Sequence, residues 1–269
     1  MKDKRILYVS SEVVPYLPET EISSMSFEAP RMVNKQGGQI RIFMPRYGNI
    51  NERRHQLHEV IRLSGINLVI NDLDMPLIIK VASIPKERIQ VYFIDNEDYF
   101  KRKATLTDEE GKLYPDNDER AIFFAKGVIE TVKKLNWSPD IIHVNGWLAS
   151  LLPLYLKEYY KNEPLFSDSK IVTSVYNQSF EGTLDSKMID KVKFDNIDSD
   201  IIKVLENPSY NSIMKIAIDH SDALIKGSAE IPKELEDYLT ASKKPVLDYY
   251  SLEEFADPYA EFYHTQVLK

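Results

Sequence analysis

Arg5-Ile-Leu-Tyr-Val-Ser10, a helix-compatible run from Ser23 to Lys35, the Gly37-Gly38 turn and Gln39-Ile-Arg-Ile-Phe-Met44 together spell a strand, a helix and a second strand. The first run is β-branched and aromatic and ends in polar residues, the pattern of a strand buried on both faces. Pro30 is expected to interrupt the helix, and Pro45 closes the second strand. Downstream, Pro76 to Ile84 and Ile89 to Asp95 read as strands of a hairpin or sheet extension, because only Pro85 to Arg88 separates them. Asp118 to Leu135 is the clearest helix, with Ile122, Ala125, Ile129 and Val132 on one face. Strands at Ile141 to Asn145, Ile171 to Tyr176 and Ala223 to Lys226 then alternate with helices at Trp147 to Tyr160 and Pro208 to His220. That order predicts an α/β fold, a Rossmann-like parallel sheet with helices on both faces. Its binding crevice should lie beyond the carboxyl ends of the strands, at the loops after Ser10, Met44, Asp95, Asn145, Tyr176 and Lys226.

Composition narrows the functions open to the chain. Its 269 residues are 43% hydrophobic, enough for one large domain, expected over 1–244 and followed by an aromatic, acidic tail over 245–269. Opposing totals of 34 Lys plus Arg and 42 Asp plus Glu give a net charge of -8, which argues against nucleic acid as a partner. No apolar stretch approaches a membrane span, and the N-terminus does not read as a signal peptide, so a cytoplasmic protein without membrane association is expected. The absence of cysteine excludes disulfides, thiolate metal sites and a cysteine nucleophile. His55 and His58, one helical turn apart, lack a third ligand and read as a solvated helix face. Asp195, Asp198 and Asp200 lack the glycine and terminal glutamate of a calcium loop, so no metal is expected, and no phosphate-binding glycine loop or other cofactor motif is present.

Several segments in one order carry a family resemblance. Tyr8-Val-Ser-Ser-Glu-Val-Val-Pro15 resembles the opening strand and loop of bacterial ADP-glucose-dependent glycogen and starch synthases. Ala29-Pro-Arg-Met32, Met44-Pro-Arg-Tyr-Gly-Asn-Ile50, Val91-Tyr-Phe-Ile-Asp95 and Tyr114-Pro-Asp-Asn-Asp-Glu-Arg120 continue the likeness. It runs on through His143 to Trp147, Leu152 to Lys157, Asn177 and Gly182, and fades near Glu230. The resemblance covers most of this chain but only the first half of the family's two-domain GT-B architecture. It implies that this half holds the growing glucan, while the other half holds most of the nucleotide sugar.

The same resemblance marks departures. Family members carry Lys-Thr-Gly-Gly after the first strand, where a cation and exposed amides approach the donor diphosphate. Here Pro18, Glu19, Thr20 and Glu21 stand in that place, with Pro18 at the lysine and Thr20 and Glu21 at the glycines. A carboxylate about 6 Å from a phosphate charge repels it by roughly 3 kcal/mol at an effective dielectric near 20. In His143-Val-Asn-Gly-Trp147, Gly146 takes the position of the family's aspartate, while His143, Asn145 and Trp147 remain as acceptor-cleft candidates. His143 also reads as a strand-end histidine satisfied by backbone, and Trp147 as core. Glu12 retains the family's acid, either as a site remnant or as a loop cap. Tyr176 replaces the family's active-site histidine beside Asn177, and a phenol titrating near 10 cannot do the work of an imidazole near neutrality.

These departures predict a non-catalytic synthase-like domain, a pseudoenzyme whose partner is an α-glucan or a protein of glucan metabolism. The enzyme alternative is glucose transfer from ADP-glucose to an α-1,4-glucan, with a donor domain supplied in trans. A third alternative is a scaffold that docks through its tail. Because exposed together the tail aromatics would form a patch that soluble monomers avoid, Phe255 to Leu268 is expected to fold back on the domain.

Overall fold

The computed structural model describes residues 1–269, and its elements run β1 (Arg5–Ser10), α1 (Glu21–Lys35), β2 (Gln39–Pro45), α2 (Glu52–His55), β3 (His58–Glu59), β4 (Ile66–Ile70), β5 (Leu73–Ile84) and β6 (Ile89–Asp95). There follow α3 (Glu97–Phe100), α4 (Asn117–Leu135), β7 (Ile141–Asn145), α5 (Leu152–Leu154), β8 (Lys170–Val175), α6 (Met188–Lys193), α7 (Tyr210–Asp219), β9 (Ala223–Lys226), α8 (Lys233–Ala241), β10 (Val246–Leu247) and α9 (Ala256–Phe262). The strands form one sheet in the order β10-β9-β8-β7-β1-β2-β6-β5-β3, with β4 paired to β5. All pairings from β10 to β6 are parallel, and those of β5 with β6, β3 and β4 are antiparallel. The strands expected to be parallel share this sheet, and the expected hairpin extends it at one edge.

Burial explains the order. Ile6, Leu7, Tyr8 and Val9 of β1 are all buried, as a central strand covered on both faces must be. One face carries α1, which packs on β1 and β2 and touches α9. α4 packs on β6 and α7 on β8, with α5 against α7. Pro30 does not interrupt α1, which runs unbroken from Glu21 to Lys35 with Pro30 on its buried side. Burial of Met25, Ala29, Met32 and Val33 offsets a proline cost of about 3 kcal/mol.

Two further local expectations are corrected, and one residue proves buried. His55 ends α2 and His58 lies in β3, so the pair does not share a helix face. The expected helix from Trp147 to Tyr160 is broken into a 3-10 turn at Trp147–Ala149, the short α5 and a π turn at Tyr155–Tyr159. Asp195 is 8% exposed and is held by Lys126 Nζ at 2.6 Å and by the Tyr155 hydroxyl at 2.7 Å, so it is half of a buried ion pair. No group of three His, Cys, Asp or Glu side chains gathers as a metal would require. No helix is long and apolar enough to cross a membrane.

The tail returns to the sheet. Val246–Leu247 adds a strand beside β9, and Phe255, Tyr259, Phe262, Tyr263 and Val267 are buried within the single hydrophobic core.

Candidate functional site

At the carboxyl end of β1 the chain turns through Glu12 and reaches Thr20, the N-cap of α1. The Thr20 hydroxyl accepts from Ser23 N at 3.0 Å, and the Ser23 hydroxyl accepts from Thr20 N at 2.8 Å, a reciprocal capping box. Thr20 also donates to a Glu12 carboxylate oxygen at 2.7 Å, and the other oxygen of Glu12 accepts from the Gln178 amide at 3.1 Å. Burial raises the affinity of Glu12 for its proton, opposed by those two hydrogen bonds. Glu21, in the first turn of α1, accepts from the Ser228 hydroxyl, which in turn accepts from Asn177 N. The loops after β1, β8 and β9 are thereby tied together through two carboxylates. Acidic groups favour a helix N-terminus electrostatically, so the end of α1 that could meet an anion is already capped by its own chain. Pro18 and Glu19 are exposed.

Tyr176 follows β8 and is 2% exposed. Its hydroxyl donates to Asn145 Oδ1 at 3.0 Å, and its ring lies so close to Gly227 that a Cβ there would stand 2.6 Å from the Tyr176 ring. Burial holds this phenol well above its ordinary titration range, so at neutral pH it is a fixed hydrogen-bond donor. Gly146, beside it, has φ of +84°, and a Cβ at that position would lie 2.0 Å from Ser11 Oγ. An aspartate here would be strained by the backbone and would have to displace the Ser11 side chain.

His143 differs from the expected strand-end histidine with backbone partners. It lies in the middle of β7, fully buried, with Nδ1 2.6 Å from the Tyr263 hydroxyl and Nε2 2.7 Å from Ser174 Oγ. A neutral ring satisfies both contacts, one nitrogen donating and the other accepting. Burial pushes its pKa down from 6.5 to about 3. Since the unfolded histidine binds a proton below about 6.5 and the folded one does not, its contribution to stability is complete above 6.5 and is lost as pH falls toward 3. Acidification from pH 7 to 5 should therefore cost about 2 kcal/mol through this residue. Urea unfolding across that range should show a weaker pH dependence in His143→Gln than in the unsubstituted protein.

Trp147 is 2% exposed and meets the Phe180 ring edge-on, with centroids 5.1 Å apart. Phe180 also meets Tyr210 at 5.9 Å. Thus braced, Phe180 lines a cleft of about 890 Å³ between the segments 107–115 and 179–185. Tyr114 faces it from the other segment, with the Arg102 guanidinium 4.4 Å from its ring centroid and Arg102 itself paired to Asp116. Asp108, Asp185 and Thr183 add carboxylates and a hydroxyl to the lining. A hydrogen bond from Lys187 N, with Lys191 3.1 Å away, holds Asp185 below the usual carboxylate range. Two fixed aromatic rings with adjacent acceptors suit a polyhydroxylated chain, whose C–H faces pack on rings while its hydroxyls donate to carboxylates.

Of the residues singled out in the sequence, Glu12, Thr20, Glu21, Asn145, Tyr176 and Asn177 converge at the strand ends. His143 and Trp147 sit beneath that surface as supports. Phe180 and Asp185 were not singled out. Their signal was an aromatic in a largely polar stretch, Ser179-Phe-Glu-Gly-Thr-Leu-Asp185, within the loop after a strand.

Comparison with known proteins places this geometry. Residues 5–243 match the family model for the starch synthase catalytic domain. The glycogen synthase of Chlorobium limicola is 38% identical over 221 residues, covering 82% of this chain and 45% of that protein. That of Chlorobium luteolum is 35% identical over 224 residues, covering 83% and 45%. The chain thus spans about half the length of the curated relatives it matches. The catalytic domain of starch synthase IV from Arabidopsis thaliana, in a structure bound to ADP and acarbose, superposes with a TM-score of 0.75 at 16% identity, over 93% of this chain and 52% of that one. The mostly parallel sheet is therefore that of one half of a GT-B glycosyltransferase, and the chain belongs to the starch synthase catalytic domain family.

Proposed function

We propose that this chain is a glucan-binding module of the family that holds an α-glucan in the cleft between 107–115 and 179–185 and does not itself activate a nucleotide sugar. The observation that carries this reading is the N-terminus of α1. Thr20 caps it, Glu12 and Glu21 stand around it, and no cation of the loop from Pro18 to Glu21 is available to a diphosphate. An approaching phosphate would meet carboxylates where transfer chemistry needs preorganised donors. Tyr176, locked on Asn145, adds no group that titrates near neutrality. The Arabidopsis structure holding acarbose supports saccharide recognition by this fold. Its ADP supports a second reading, glucose transfer from ADP-glucose with a donor domain supplied in trans. Partners of the module would be α-glucan or proteins of glucan metabolism.

Affinity electrophoresis in gels containing glycogen tests the binding. Retardation of the unsubstituted chain is expected, with Phe180→Ala weakening it about tenfold through loss of the stacking face. Equal mobility with and without glycogen would reject the cleft as a glucan site.

A further inference from the structure

We propose that a second cavity, of about 590 Å³ and bounded by α2, the start of β3 and the β5–β6 turn, binds a phosphate monoester carried on a polar, sugar-sized group. Arg54, His55, His58, Lys86 and Arg88 line it, and no Asp or Glu does, in a chain whose net charge is -8. Two nearby carboxylates are engaged elsewhere: Glu52 pairs with Lys80 at 2.7 Å and Glu87 with Arg31 at 2.9 Å. Arg54, Lys86 and Arg88 are exposed and take no carboxylate partner, so their charge is open to a ligand. Lys86 and Arg88 both sit in left-handed backbone, at φ of 70° and 57°, within the tight turn that presents them.

A second feature lies at the edge of the same cavity. Tyr16 lines it and is 5% exposed, and its hydroxyl is buried with no hydrogen-bond partner. Buried hydroxyls are almost always satisfied, and a small shift of the Tyr16 ring on binding would bring this one to a ligand oxygen. Several cations around one space match the terminal oxygens of a phosphate dianion, to which arginine offers paired donors. The space exceeds a lone phosphate ion, and Gln56, Ser83 and Gln90 provide amides and a hydroxyl for the hydroxyls of a carrier. This site does not depend on the glucan cleft, since it shares no lining residue with it.

Calorimetric titration of the full chain with glucose 1-phosphate, inorganic phosphate and glucose tests the proposal. Saturable one-to-one binding of glucose 1-phosphate is expected, with weaker binding of inorganic phosphate and none of glucose. Arg88→Gln and Lys86→Gln should each weaken the ester about tenfold, as loss of a charged hydrogen bond does, and leave glycogen retardation unchanged. Tyr16→Phe should weaken it severalfold. Inorganic phosphate binding as tightly as the ester would overturn the carrier assignment, and unchanged binding in Tyr16→Phe would overturn the role of its hydroxyl. No saturable binding, or binding indifferent to Arg88→Gln and Lys86→Gln, would overturn the site.

Discussion

Truncation of Tyr263 to alanine is expected to cost about 3 to 5 kcal/mol of stability, read as a lowered midpoint of urea unfolding. The ring is fully buried, within 5.9 Å of the His143 ring and 6.1 Å of Tyr259, so its removal leaves a cavity at the centre of the sheet face. The hydroxyl is the partner of His143 Nδ1, and losing it leaves a buried ring nitrogen unpaired. Tyr263→Phe separates the two effects, because it keeps the ring and removes only the hydroxyl, at about 1 to 3 kcal/mol. If Tyr263→Ala unfolded within about 0.5 kcal/mol of the unsubstituted chain, the tail would not belong to the core.

Asp195→Ala should be comparably damaging, at about 3 to 5 kcal/mol, because it breaks a buried pair and leaves one charge behind. The Lys126 side chain is 4% exposed and would keep the Val69 carbonyl at 2.7 Å and the Tyr159 ring, with its centroid at 5.0 Å, but no counter-charge. The Tyr155 hydroxyl would lose its acceptor as well. The double substitution Lys126→Met with Asp195→Ala should recover part of the loss, since neither charge then remains buried. Thermal unfolding of the single and double variants checks this, and a double variant no better than Asp195→Ala would show that the pair is not the source of the cost.

Elements whose burial is written in a continuous run were legible in the sequence. β1, β7, β8 and β9 are covered on both faces, so their apolar runs need no partner to be recognised, and α4 repeats its buried face over five turns of helix. Two-residue strands such as β3 and β10 carry no period at all, and are defined only by the strands they join. β4 was missed for a related reason: Ile66 to Ile70 alternates over too few residues to be told from a loop without β5 beside it. Pro30 was misread because local propensity was weighed without the packing that overrides it. At the site, the loops after Ser10 and Tyr176 were legible as strand ends of a parallel sheet, and Glu12, Thr20, Glu21, Tyr176 and Asn177 within them were marked by the family resemblance. The environment of His143 was not, because its two partners lie 31 and 120 residues away. The cleft was hidden for the same reason, as it is assembled from two segments that only the fold brings together.

In the function proposed above, the self-capped N-terminus of α1 is what would separate glucan binding from glucose transfer. The most direct test is incorporation of radiolabelled glucose from ADP-glucose into glycogen, run on the same preparation whose retardation by glycogen has been measured. We expect glycogen binding with no incorporation above a heat-killed control. Incorporation by the unsubstituted chain above that control would contradict a binding module that leaves the nucleotide sugar unactivated.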